Sequence, residues 1–412
     1  MSHVAVIGAG ITGITTAYAL IRRGFRVTVF DRQSYPAMET SYANGGQLSA
    51  SNAEVWNHPS TLLKGIKWML SSDAPLLLNP KPTWAKYSWL AEFVAAIPKY
   101  RENTIETAKL AILAREHMYR IAEEEGIAFD LEKRGILHFY NDRASFNHAS
   151  EVNKLLNSAG LERKAVTPEE IKAIEPSLKG NFFGGFFTPS DASGDIHKFT
   201  RGLADACIKH GAVFQLASEV EGFQPIGNQW MVSWNSFEGP GVGLMQEQCF
   251  DAVVVCAGSA SRRFAKMLGD RVNVYPVKGY SITVHLDDEE SQAAAPWVSL
   301  LDDAAKIVTS RLGTDRFRVA GTAEINGHNF DIRADRIAPL VRWTRQHFPK
   351  MGTSRSVPWS GLRPMMPNML PRVGRGRRGN VFYNTGHGHL GWTLSCATAE
   401  IVTSNIAENL PA

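Results

Sequence analysis

The chain of 412 residues is longer than one ordinary domain, and 44% apolar with 20% charged residues suits a folded globular protein of two or three domains or one interleaved unit. Its 44 Lys and Arg against 40 Asp and Glu leave a net charge of +4 with no run of five like charges, which argues against nucleic-acid binding. Cys207, Cys249, Cys256 and Cys396 form no Cys-x-x-Cys pair and no apolar run is long enough to span a bilayer, so a zinc or other metal site, a disulfide framework and a transmembrane anchor lack support.

The N-terminus enters a strand with no basic signal-peptide region, so the protein is expected to be cytoplasmic, free to rest on the inner membrane surface. His3 to Ile7 is an apolar, β-branched run, predicted as that strand, and Gly8-Ala9-Gly10-Ile11-Thr12-Gly13 follows at once. Ile14, Ala17, Leu20 and Ile21 then share one helical face, and Gly24 stands where a helix C-cap takes positive φ. Phe25 to Phe30 returns as a second strand ending at Asp31. In this context Gly8 makes the tight turn, Gly10 lets the backbone approach a pyrophosphate, and Gly13 allows close helix-to-strand packing. The helix N-terminus offers N–H groups and a positive dipole to phosphates, while Asp31 accepts the hydroxyls of an adenosine ribose. Arg32 is the residue type that pairs with a 2′-phosphate, but the carboxylate before it repels one, so FAD or NAD is expected rather than NADP.

Thr40-Ser41-Tyr42-Ala43-Asn44-Gly45-Gly46-Gln47-Leu48 is a polar, Gly-containing stretch suited to passing a pyrophosphate and a ring edge; on composition alone it is equally a surface loop. From Ala53 to Leu78 the chain carries Trp56, Trp68 and Leu76-Leu77-Leu78, with Leu62, Leu63, Ile66, Met69 and Leu70 on one helical face. Lys64 and Lys67 elsewhere would suit a helix on anionic lipid, although packing on its own domain is the commoner use of such a helix. A helix is expected around Phe199 to His210, then a β-rich stretch from Ala212 to Gln248 that includes Val220. Asp251-Ala252-Val253-Val254-Val255-Cys256-Ala257-Gly258 reads as a buried strand that reaches a nucleotide from the far side of the sheet. Asn380 to Thr393 runs strand, Gly-rich turn, then helix, a second helix start able to face an electron-rich group.

These residues carry a resemblance to the D-amino-acid oxidase superfamily of FAD enzymes, and within it to the bacterial D-amino-acid dehydrogenase small subunit. The matching stretches are the N-terminal fingerprint, Ser41 to Leu48, Pro276-Val277-Lys278-Gly279-Tyr280-Ser281, Gly361-Leu362-Arg363-Pro364, and Asn384-Thr385-Gly386-His387-Gly388-His389-Leu390-Gly391-Trp392-Thr393. The last string is the most specific. The resemblance implies an α/β (mixed α+β) fold, a Rossmann-like FAD-binding domain interleaved with a substrate domain of β-sheet plus helices. It assigns residues 1–50, 195–275 and 357–412 to the first and 51–194 and 276–356 to the second. It also implies extended, noncovalent FAD with its adenosine at Asp31, held by the fingerprint and by Ser41, Asn44, Gly45, Gly46, Gln47 and Leu48. Val220, Ala257, Gly258, Arg363 and the stretch Gly386 to Thr393 complete that set. Cys396, inside the last helix, is a packing residue.

The activity implied is hydride transfer from Cα of a small apolar D-amino acid to flavin N5. The product is an imino acid that hydrolyses to a 2-oxo acid and ammonia, and electrons pass to a quinone or dye. Such a reaction needs the substrate carboxylate clamped, and a guanidinium does this through two parallel hydrogen bonds. By resemblance Arg363 is the clamp. Tyr280 is a candidate phenol partner or core residue, Arg311 a second cation or a surface pair, and His387 or His389 a group that tunes the flavin or takes a proton from the amine. Ala305 stands where the dehydrogenase pattern has tyrosine, which removes a wall contact and leaves substrate range open. Cyclic or secondary amines such as proline, hydroxyproline, glycine or sarcosine are the alternative substrates. An NAD-dependent dehydrogenase and a non-catalytic flavin-binding subunit are the alternatives of another class.

Overall fold

A computed structural model describes residues 1–61, 75–238 and 242–412. A six-stranded sheet runs in the order Arg372–Arg375, Val381–Thr385, Ala252–Val255, His3–Ile7, Arg26–Phe30, Val213–Gln215. All its neighbours are parallel except the first pair. Both faces are covered, as all-apolar central strands require. Val4 and Val6 pack toward the helices Ile11–Arg22, Ile196–Lys209 and Gly391–Ala407. Ala5 and Ile7 point the other way, onto Val220, Trp230, Val232 and Trp234. Those residues belong to a separate antiparallel sheet of Ser218–Ile226, Gln229–Ser236 and Met245–Phe250, the β-rich stretch expected there.

The larger sheet has nine strands. Its path is Ser356–Met365, Tyr275–His285, Arg316–Ile325, Ile307–Leu312, Ser299–Asp302, Ile136–Tyr140, Gly184–Thr188 and Lys164–Val166, and Leu76–Leu78 pairs with Arg316–Ile325. Helix Ala334–His347 covers one face with Leu340 and Trp343. The opposite face borders the main cavity, through Gly279, Ser281, Val308 and Ala320.

Two features depart from the expected division of the chain. The boundary at 357 would cut strand Ser356–Met365, which pairs along its whole length with Tyr275–His285 and so lies in the large sheet. Helix Tyr100–Glu124, expected with the substrate domain, packs on the last helix, and its Met118, Ile121 and Ala122 join the core of the six-stranded sheet. Residues 62–74 of the amphipathic stretch lie outside the described residues. Among the described residues no helix is long and apolar enough to cross a membrane. Cys396 is buried in the core beside Trp392.

Candidate active site

Between the two large sheets runs a cavity of about 470 Å3 whose lining includes Asp31 and Arg32 of the first sheet's side and Arg363 of the second. At its nucleotide end the fingerprint has the geometry its glycines require. Gly8 has φ of +111°, and a Cβ on Gly13 would lie 1.8 Å from the Gly8 carbonyl oxygen, so only glycine lets helix meet strand here. A Cβ on Gly10 would meet only Ser41 Oγ, at 3.5 Å, and otherwise project into open space. Ser41 Oγ accepts from Ile11 N–H at 3.0 Å, whereas Ile11, Thr12 and Gly13 lie in the first helical turn and have no intrahelical acceptor. Asp31 accepts from Ala9 N–H at 2.6 Å and Gln33 N–H at 2.9 Å. Burial pushes its carboxyl up and those two N–H groups oppose the shift. Arg32, also in the wall, is paired with Glu39. Val220, Ala257 and Gly258 line the same end.

The middle of the cavity is built by the Ser41 to Leu48 stretch crossing the large sheet. Ser281 donates to Ala43 O at 2.8 Å, Arg318 to Asn44 O at 3.0 Å, and Ser310 to Gly45 O at 2.8 Å. Gln47 is anchored on Ser299 and Leu300. A Cβ on Gly45 would meet Val308 at 2.7 Å, so the loop lies flat only because that residue is glycine. Leu48 and Gly13 shape the wall from behind without lining it. On the other side strand Val381–Thr385 leads through Gly386 (φ +78°), His387, Gly388 (φ +62°) and His389 into helix Gly391–Ala407. Leu390 packs behind in a small alanine and leucine core, Trp392 stands edge-on to Phe129, and Thr393 Oγ1 accepts from Ser49 N–H at 3.2 Å.

His387 Nε2 and Thr398 Oγ1 share a hydrogen bond of 2.9 Å. His389 Nε2–H donates to the Asn52 carbonyl at 3.1 Å. Burial depresses both rings, to about 3 for His387 and about 4 for His389, so both are neutral. Nδ1 of each ring is buried and has no hydrogen-bond partner among the described residues.

Arg363, on the edge strand Ser356–Met365 of the large sheet, also lines the cavity. Its guanidinium packs directly over Gly279, where a Cβ would lie 2.3 Å from Nη1. Nη1 donates to Thr322 O at 3.2 Å and Lys278 O at 3.5 Å. Thr322, a β-branched residue at φ +58°, is set there by a bulge opposite Lys278 and Tyr280, a strained arrangement that turns a carbonyl onto the arginine. Among the described residues Arg363 has no carboxylate partner, and burial alone lowers its pKa to about 10, so it is a cation at neutral pH. Gly279→Ala is therefore expected to displace the guanidinium and raise KM for the substrate more than tenfold with flavin content unchanged, measured by steady-state kinetics and flavin absorbance.

Two candidates lie elsewhere. Tyr280 alternates with Gly279 and Ser281, so its ring falls on the helix-covered face, near Glu324 and with its hydroxyl 3.4 Å from Asp331 O. Only its strand position touches the cavity. Arg311 spends its guanidinium on the carbonyls of Gln292, Ala295, Gly313 and Thr314 and stacks 3.9 Å from the Trp297 ring centroid, a structural role away from the cavity. The sequence reading missed Glu54, Trp56 and His138, which line the cavity from the 50–56 turn and strand Ile136–Tyr140. No local pattern marks them. The turn that carries Glu54 and Trp56 is tied down by Asp191, which binds the backbone N–H groups of Ala50 and Ser51 at 3.1 and 3.0 Å from far along the chain, while His138 is placed by the pairing of its strand.

An extended cavity with a helix N-terminus at one end, a carboxylate for ribose hydroxyls, backbone-lined Gly stretches in the middle and, among the described residues, two ring nitrogens buried without partners fits FAD. Asp31, the Ile11 to Gly13 turn, Ser41 to Gln47 and the Gly386 to Thr393 turn would hold it. Residues 3–405 match the DAO family, described as FAD dependent oxidoreductase. The chain is 60% identical to "D-amino acid dehydrogenase 3" of Mesorhizobium japonicum over 411 residues, covering 100% of this chain and 98% of that one. Its fold is similar to glycine oxidase from Geobacillus kaustophilus, with a TM-score of 0.76 at 19% identity over 100% of this chain and 96% of that one. L-proline dehydrogenase from P. horikoshii gives a TM-score of 0.76 at 17% identity over 99% and 93%. A match across nearly the whole length, on a fold whose cavity suits the cofactor, places the chain in the DAO family of FAD-dependent oxidoreductases.

Proposed function

We propose that this chain is an FAD-dependent D-amino-acid dehydrogenase that turns a D-amino acid into the imino acid, which water hydrolyses to a 2-oxo acid and ammonia. The observation that carries the reading is Arg363, a cation in the cavity wall that has no acidic partner among the described residues. A buried guanidinium satisfied only by carbonyls keeps its full charge for an incoming anion, and a carboxylate takes two of its N–H groups at once. The relative at 60% identity, named as a D-amino acid dehydrogenase, supports the substrate class and the D configuration.

FAD supplies the hydride acceptor for the substrate's Cα hydrogen. The chain's own residues do the rest. Arg363 fixes the carboxylate, and Gly279 gives the guanidinium room. Trp56, stacked on His389 at 5.2 Å, helps to exclude water from the cavity. We assign the six- and three-stranded sheets to FAD and the nine-stranded sheet to the substrate. The electrons leave to a quinone or comparable acceptor, with the protein in the cytoplasm or resting on the membrane.

The deciding experiment is anaerobic reduction of the purified holoprotein with D-, L- and cyclic amino acids. D-amino acids are expected to bleach the visible flavin absorbance and their L-enantiomers are not. Bleaching by no amino acid sinks the proposal, and bleaching by proline, glycine or sarcosine alone replaces it with amine dehydrogenation.

A further inference from the structure

The cavity does not end in apolar walls beyond Arg363. Glu54 enters it with its side chain 33% exposed, from the turn that also carries Trp56. Both hydrogen bonds made to this carboxylate fall on one oxygen: Tyr100 OH donates to Oε1 at 2.7 Å and His148 Nε2 approaches it at 3.3 Å. Oε2 carries none among the described residues. Burial would raise the Glu54 carboxyl, but the bonds from His148 and Tyr100 and the positive charge of His148 and Lys306 outweigh it, so Glu54 is held below the usual range and ionised. The same turn packs on His389, whose Nε2–H donates to Asn52 O at 3.1 Å and whose ring stacks 5.2 Å from Trp56, so Glu54 stands two residues from both contacts.

The other charges near Glu54 do not compete for the same ligand. Arg163 donates through Nη2 to His138 Nδ1 and Tyr140 OH, both at 3.2 Å, and its guanidinium lies 4.5 Å from the Phe186 ring centroid. Its Nε and Nη1 are enclosed and reach no cavity space. Lys306 is paired with Asp303. Among the described residues Glu54 Oε2 is an exposed, unpaired acceptor on the cavity wall. Once a ligand displaces the water around it, such an acceptor penalises an apolar group and rewards an N–H or O–H.

We propose that Glu54, seated by Tyr100 and His148, is the side-chain subsite of this enzyme, and that it selects amino acids whose side chain carries a hydrogen-bond donor, a hydroxyl or an ammonium, over apolar ones of the same shape. The inference rests on the reading that Arg363 holds the substrate carboxylate, and it departs from the small apolar substrate expected from the sequence.

The test is a set of matched pairs that differ by the donor: D-serine against D-alanine, 4-hydroxy-D-proline against D-proline, and D-lysine against D-norleucine. In the wild-type holoenzyme the donor-bearing member of at least one pair is expected to have a kcat/KM about tenfold or more above its partner. In E54L with normal flavin content that ratio is expected to fall to about one. E54Q, which keeps the volume and loses the charge, should cut any lysine advantage about tenfold. Equal rates within all three pairs, or a ratio that survives in E54L, overturn the subsite while leaving amino-acid oxidation standing. Reduction of the flavin by no member of any pair overturns both. Binding without turnover gives a second readout, because α-methyl-D-serine and 2-aminoisobutyrate have no Cα hydrogen to lose. By calorimetry the first is expected to bind wild type more tightly than the second, and equal affinity counts against the subsite.

Discussion

Arg363→Ala is expected to lower kcat/KM for the preferred amino acid about 1,000-fold, mostly through KM, while the purified protein keeps its full flavin absorbance. The magnitude follows from what the side chain gives a carboxylate: two charge-assisted hydrogen bonds, together about 3–5 kcal/mol in a dehydrated site, or roughly 100- to 10,000-fold. Arg363→Lys should recover part of that loss, because an ammonium keeps the charge but not the planar pair of donors. Stability is expected to move the other way. Without substrate the guanidinium is a buried cation held only by the Thr322 and Lys278 carbonyls, so its removal should leave the melting temperature unchanged or raise it. The pH dependence has a definite sign. The group is charged below about 10, so the clamp operates through neutral pH and fades as pH rises past that value. A bound carboxylate would shift the loss higher still. Kinetics in which Arg363→Ala changes neither KM nor kcat/KM would remove the clamp.

The parts of this site that were legible in the sequence are those whose signal is local. Strand, glycine turn, helix, strand and acid over residues 3–31 follow from period and glycine spacing, because each glycine answers to a contact within the same unit, such as Gly13 against Gly8. Arg363 was legible only through the family resemblance of Gly361-Leu362-Arg363-Pro364, since by residue type it is equally a surface pair, and in the structure it lines the cavity. Tyr280 shows the limit. Alternation along Tyr275–His285 says that neighbours face opposite ways, not which way faces the cavity, and that choice is made by helix Ala334–His347 and by Ser281 bonding Ala43. Arg311 was indistinguishable from a clamp by residue type, since only the fold shows four carbonyls closing around it. Glu54 had no motif at all. Its position comes from Asp191 tying down a turn some 140 residues earlier, a separation over which no periodic pattern carries information.

The two central fingerprint glycines should fail in different ways when each gains a methyl group. At Gly13 the new Cβ would sit 1.8 Å from the Gly8 carbonyl, so the helix must move off the strand that carries the whole parallel sheet. Forcing a backbone apart in a packed core costs about 1–3 kcal/mol or more. Gly13→Ala is therefore expected both to purify without flavin and to melt several degrees below wild-type apoprotein. At Gly10 the backbone is already extended, with φ −76° and ψ 179°, a conformation alanine adopts freely. Its Cβ would make only an ordinary contact, to Ser41 Oγ at 3.5 Å, and would otherwise occupy the space above the helix N-terminus where a pyrophosphate approaches. Gly10→Ala should therefore melt like wild-type apoprotein yet lose most of its affinity for FAD, and with it the melting-temperature gain that FAD gives the wild type. Apoprotein melting curves with and without added FAD separate the two cases. A Gly10→Ala protein that binds FAD normally would show that the phosphates do not pass over this turn, and a Gly13→Ala apoprotein as stable as wild type would show that the helix can yield where the close contact says it cannot.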